Sequence, residues 1–322
     1  DGILSAADDT ERAVLTLETT AELASLDVAL LPRAGTRLAK FLALQRPSNY
    51  ALLDRLPEMS AAMIFGGRLE LGPFRQGMLE MMAKLYGPAA TQELLAGMEA
   101  IAKLMTGEIA LAARFSPGAG MTFTQLFGVS DTAAADRAFA AIFALFKDGK
   151  TVEAMGIGTT VKANPGTVAH GGVAMRSYAA SYDLSKVPEA NRKTMEAVLP
   201  KTALGGHVAA FDHLGLIALA PNSQVEAERA IDAARGKAPH FTAPAVVGQM
   251  LASSRARKDS VAMVFDVGAI MSGMPTMPGA PPRTPTGPIV FVLSFGCADR
   301  NAHFRIVAPA SSARTAVNAA KP

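Results

Sequence analysis

Apolar and polar positions alternate over residues 13–19, where Val14, Leu15 and Leu17 stand among Thr and Glu, and this two-residue period reads as a strand. The period then lengthens. Residues 36–44 and 50–56 read as short helices broken at Pro47, and residues 73–84 and 89–105 as amphipathic helices split by Gly87-Pro88. Residues 107–115 and 121–129 return to strand, joined through Ser116-Pro-Gly-Ala-Gly120, whose residues tolerate a tight turn. Ser130-Asp131-Thr132 then supplies capping side chains for a helix running to Phe146.

The second part continues the interleaving. Residues 151–161 and 167–184 predict strands around an Asn164-Pro-Gly166 turn, and residues 188–199 a helix with Pro in its first turn. Residues 208–211 and 214–219 predict a tight hairpin. Helices follow at 224–235, opened by Asn222 or Ser223 and stopped by Gly236, and at 243–257. Strands joined by short turns run antiparallel, and the helices between them must cover a face. The expected class is α+β, as two similar halves, each a mostly antiparallel sheet covered by helices on one face.

Two halves are suggested by internal similarity. Ser60-Ala-Ala-Met-Ile-Phe65 resembles Ser260-Val-Ala-Met-Val-Phe265. Thr106-Gly-Glu-Ile-Ala-Leu-Ala-Ala-Arg-Phe115 resembles Thr286-Gly-Pro-Ile-Val-Phe-Val-Leu-Ser-Phe295, keeping the Thr-Gly, the Ile and the final Phe in register. A further strand follows each, at 121–129 and 302–307, and then an Ala-rich helix, at 132–146 and 311–320. Matched pairs in the same order point to a duplication of 60–146 in 260–320, with halves at 1–150 and 151–322.

Composition narrows the class. Half of the 322 residues are hydrophobic, which supports a sizeable core and excludes a disordered chain. The net charge is only +3, and no basic stripe with aromatic partners marks a nucleic-acid surface. The longest strongly apolar segments, 138–146 and 288–295, are far shorter than the roughly 18 residues of a spanning helix, so no transmembrane segment is expected. A single cysteine, Cys297, forms no internal disulfide; its place in an apolar run predicts a buried, inert thiol. The chain begins at Asp1 with no Met, from which we expect an exported protein, periplasmic or associated with the cell envelope, whose signal peptide has been removed.

Catalytic motifs are sparse. Gly156-Ile-Gly158 leads into Thr159-Thr160, with no third glycine where a dinucleotide-binding turn needs one. Gly149-Lys150-Thr151 ends like a phosphate-binding loop, but Ala144 occupies the position of its first glycine. His207 and His213 lie at opposite ends of one expected strand, too far apart to share a metal. A hydrolase would have to assemble its site from scattered groups such as Asp131, Asp183, Asp212, His213 and Asp266.

Methionine is the compositional oddity, with 16 residues against no Trp and four Tyr. Met78, Met81 and Met82 share one helical face, and Met98 and Met105 continue it on the next helix. Met271, Met274 and Met277 recur at three-residue intervals in a loop rich in Pro and Gly. That spacing resembles the methionine motifs of exported copper-handling proteins, yet no His or Cys accompanies it, and no metal or other cofactor is expected. Flexible thioethers suit an adaptable apolar site, so these eight Met are the candidate ligand-binding residues, for an apolar small molecule, a lipid or a protein partner. In its Ala-rich helices and repeated Thr-Gly strand openings, the chain resembles uncharacterised exported bacterial proteins built from duplicated strand–helix units. That resemblance implies a non-enzymatic exported protein, or alternatively a structural subunit of an envelope assembly, and it carries no functional residues.

Overall fold

The structure, a computed structural model, describes residues 8–70, 80, 83, 92–116, 120–154, 157–189, 191–192, 204–273, 289–298 and 301–312. A hairpin of β1 (Thr10–Thr19) and β2 (Leu23–Pro32) comes first, then helix α1 (Arg37–Leu44) and a single 3-10 turn at Leu53–Arg55. Strand β3 (Met63–Arg68) and helix α2 (Gln92–Leu104) lead to the hairpin of β4 (Met105–Ser116) and β5 (Gly120–Val129), which helix α3 (Thr132–Leu145) follows. Four strands come next: β6 (Lys150–Ala154), β7 (Ile157–Ala163), β8 (Val168–His170) and β9 (Val173–Asp183). The chain then runs through β10 (Leu204–Phe211), β11 (Leu214–Ala220), α4 (Ser223–Ala234), α5 (Ala245–Ala256), β12 (Val261–Asp266), α6 (Val267–Gly273), β13 (Val290–Ala298) and β14 (Asn301–Pro309).

The α+β class is observed, as one 14-stranded antiparallel sheet. Its order is β1-β2-β14-β13-β12-β3-β4-β5-β11-β10-β9-β7-β6, with β8 beside β9. Strands from before and after residue 150 alternate in it: β2 pairs with β14, β3 with β12, and β5 with β11.

Helices cover both faces, which corrects the expectation of one covered face. Alternate side chains along a strand point to opposite faces. On β5, Leu126 belongs to the buried cluster that includes Ala230 and Ile231 of α4 and Leu251 of α5, whereas the next residue, Phe127, belongs to a separate cluster with Ala135 and Phe139 of α3. Leu216 and Ile217 of β11 divide in the same way. An antiparallel sheet this wide exposes two apolar faces in its middle, and burying only one would leave the other in water.

Local chemistry sets most boundaries. Asp131 caps α3, its carboxylate accepting from the backbone N–H of Ala134 at 2.9 Å, and Thr36 caps α1 through Ala39. The expected strand at 167–184 is two strands, because Gly171 and Gly172 take left-handed φ angles of 55° and 80°. That geometry turns His170 directly onto Val173 in a two-residue hairpin loop. The segment 151–161 is likewise a hairpin, with Ala154 opposite Ile157. At the β10–β11 turn the same left-handed pair is formed by Asp212 and His213 without glycine. Most of each of the helices expected at 73–84 and at 188–199 falls outside the described residues.

The centre of the sheet is the pairing of β3 with β12. Ile64 faces Val264, Met63 faces Phe265, and Phe65 faces Met263, so the register is symmetric about the Ile64–Val264 pair. The next pairings outward correspond as well: Met63 faces Ala113, and Met263 faces Leu293. Two glycines allow this close seam. A β-carbon on Gly66 would sit 2.5 Å from Leu53 Cγ. Gly67 has φ +152°, and a β-carbon there would sit 2.3 Å from the backbone oxygen of Ser260, which accepts from the Arg68 N–H. Gly67→Ala therefore combines backbone strain with a backbone clash. We expect it to destabilise the fold by about 2 kcal/mol or more in chemical denaturation. Gly166→Ala, in an open turn with nothing within 4 Å of the added carbon, should cost less.

Candidate functional site

Above the Ile64–Val264 pair lies a cavity of about 860 Å³. Its floor is Ile64 and Val264, both nearly fully buried, flanked by Val247 of α5 and Val290 at the start of β13. One wall is the stretch from Glu58 to Ala61 leading into β3, and another is the approach to α5 from Phe241 to Val246. These walls are stitched together: the Phe241 N–H donates to Leu56 O at 2.8 Å, the Glu58 N–H donates to Pro239 O at 3.2 Å, and Pro57 bridges to His240. The far side is Pro309 with Ser311 and Ser312; the Ser312 hydroxyl is buried and accepts from the Val290 N–H at 3.2 Å.

The charged groups among the described lining residues are of one sign. Glu58 and Asp266 contribute carboxylates, and Ser60, Thr242, Ser311 and Ser312 contribute hydroxyls. Among the described residues, no Lys, Arg or His lines the cavity. Asp266 is held in place twice: one carboxylate oxygen accepts from the Ala269 N–H at 2.9 Å, and its own backbone N–H donates to Ala62 O at 2.8 Å. The lining is an apolar floor with acidic and hydroxyl groups around it.

The structure places the methionines singled out in the sequence elsewhere. Met98 on α2 packs against the cluster of Leu94, Phe146 and Ala163, and Met105 packs against that of Phe127, Val129 and Phe139. Neither lines the cavity. Met271 belongs to α6, and Met78, Met81, Met82, Met274 and Met277 lie outside the described residues. Met59, which the sequence reading passed over, is the methionine that lines the cavity among the described residues. A better signal was the similarity of residues 60–65 to 260–265, in which Ile64 and Val264 hold matching places.

The scattered acid and imidazole groups do not converge. Asp131 caps α3, and Asp183 lies at the end of β9, where the Ser185 N–H donates to it and holds its carboxyl below the usual range. Asp212 is held by Arg235 at 2.7 Å, and that hydrogen bond is the chief reason its carboxyl also titrates low. His213 follows it in the turn, its N–H donating to the Thr132 hydroxyl. Only Asp266 faces the cavity. Among the described residues no group of three or more His, Cys, Asp or Glu could hold a metal ion. Comparison with protein-family models, with curated proteins and with solved structures found no match.

Two groups away from the cavity give direct checks on the packing. His207 is buried beside the Ser223 hydroxyl at 2.8 Å, and loss of solvation lowers its pKa below the ordinary 6.5. The folded state then binds a proton less readily than the unfolded chain. This contribution to stability is in place above about pH 6.5 and is lost as the pH falls below it. We expect wild-type stability to decline with acidification more steeply than that of His207→Asn across pH 7 to 5, by equilibrium denaturation. Burial pushes the Cys297 thiol up to about 12. A disulfide reagent at pH 8 should modify it slowly in the native protein and fast in denaturant.

Proposed function

We propose that this protein is a non-enzymatic binding protein that takes an apolar small molecule or lipid into the cavity over the Ile64–Val264 pair. The observation that carries the reading is the size and lining of that cavity: about 860 Å³, apolar at the floor, within the range of small-molecule sites. The carboxylates of Glu58 and Asp266 define the preferred ligand further. An anionic head group would meet like charge at these two carboxylates, and among the described lining residues no cation pairs it, so we take the ligand to have an uncharged or cationic polar end.

The same reading takes the two strand–helix units as products of duplication. It is supported by the symmetric β3–β12 register and by the matched pairings outward from it. Duplication would put equivalent surfaces on either side of the seam, with the cavity where they meet. Location in the bacterial envelope is part of the proposal and rests on composition; fractionation of the source cells tests it.

Titration with a neutral solvatochromic dye, followed by displacement with long-chain ligands that differ only in the head group, tests the binding claim. We expect saturable binding, with alcohols and amines displacing the dye at least about tenfold more effectively than carboxylates at pH 7. Ala61→Trp fills the cavity and Val246→Glu adds a third carboxylate at its wall; each should weaken binding by about tenfold or more with little change in stability. Absence of saturable binding, or binding that both substitutions leave intact, contradicts the proposal.

A further inference from the structure

At one end of the sheet β1 forms an edge: among the described residues no strand pairs with its outer side. The corresponding place on the other side of the seam is differently treated. Counting outward from β3 the strands are β4, β5, β11 and β10; from β12 they are β13, β14, β2 and β1. Strand β10 is covered by the antiparallel strand β9, from Leu204 opposite Ala180 to Ala209 opposite Met175. Strand β1 has no such cover among the described residues, and it is apolar: Leu15 and Leu17 are 69% and 70% exposed, and Val14 is 41% exposed. From Arg12 to Thr19 it pairs regularly with β2, without proline, lysine or a bulge to discourage a further strand.

We propose that β1 pairs with β1 of a second copy of this chain, antiparallel about a two-fold axis at Leu15. The order of charges selects both the partner and the register. A two-fold axis perpendicular to the sheet keeps each residue on its own face, so only registers that place odd residues opposite odd ones are allowed. Centring on Leu15 places Arg12 opposite Glu18 of the other copy, Ala13 opposite Leu17, and Val14 opposite Thr16. Centring on Val14 or Thr16 instead breaks the Arg12–Glu18 match. Glu18 already lies 3.4 Å from Arg305, so Arg12 of the second copy completes a cation–carboxylate–cation arrangement on that face. On the opposite face the pair brings Leu15 and Leu17 of each copy together, beside the partly exposed Phe304 and Ile306 of β14. An edge pairing of about seven residues a side, Arg12 to Glu18, is a small interface, so the dimer is reversible.

Sedimentation velocity across roughly 10 µM to 1 mM should show a concentration-dependent monomer–dimer equilibrium. Leu15→Lys places like charges together on the axis and should hold the protein monomeric, with its circular dichroism and melting unchanged because Leu15 is exposed. Arg12→Glu should weaken the dimer by about tenfold, and Arg12→Glu combined with Glu18→Arg should restore most of it. Leu15→Cys should form a covalent dimer under mild oxidation, with a yield above that of Val168→Cys on β8. A protein monomeric throughout this range overturns the proposal, and so does a dimer that Leu15→Lys leaves intact.

Discussion

The structure depends on one close approach, the pairing of β3 with β12 at the middle of the sheet. The two strands lie about 200 residues apart in the chain and meet in a register symmetric about Ile64 and Val264. Leu53 occupies the space over Gly66, and the backbone of Ser260 occupies the space beside Gly67. A side chain at either glycine would force the strands, or the turn above them, apart. Everything outward follows from this contact. Each partner strand carries its own hairpin, β4–β5 or β13–β14, and each hairpin takes a strand from the other end of the chain, β11 or β2. The ordering is thus dominated by long-range contacts, with described strands from before and after residue 150 alternating across the sheet.

The seam also accounts for the cavity. Each central strand presents a small or medium apolar residue to the face above the seam, Ile64 and Val264. The chain arriving at β3 and the helix arriving at β12 come from opposite sides. They meet at the bridge between Pro57 and His240 but leave the floor open. The apolar floor favours a hydrocarbon body, whereas the carboxylates of Glu58 and Asp266 act on its polar end. The basic residues of the described chain are mostly engaged elsewhere: Arg235 with Asp212, Arg257 with Asp259, Arg176 with Asp136, and Arg305 with Asp27.

Much of the fold was legible in the sequence because local signals were strong. The β4–β5 and β10–β11 hairpins, the Asp131 cap and helices α3, α4 and α5 follow from turn residues and periodicity. Strand β2 was not legible: its run Leu23–Pro32 is almost continuously apolar, with neither clean alternation nor helical spacing. The division of 167–184 turns on two adjacent glycines that periodicity alone passes over. That helices cover both faces could have been read from β10 and β11, whose apolar runs suit strands buried on both sides. The site was the least legible part. Methionine abundance drew attention to Met98 and Met105, which pack against aromatic and aliphatic neighbours in the clusters under α2 and α3. The cavity instead uses Ile64, Val264, Val247 and Val290, ordinary core residues whose convergence is a property of topology.

The central claim is that an apolar ligand enters over the Ile64–Val264 pair, and methyl NMR tests it most directly. With isoleucine and valine methyls labelled, addition of a long-chain alkylamine should shift the signals of Ile64, Val247, Val264 and Val290 saturably. Those of Val14, Val28 and Val208, away from the cavity, should stay in place. Shifts confined to other methyls, or none at saturating ligand, would contradict the account.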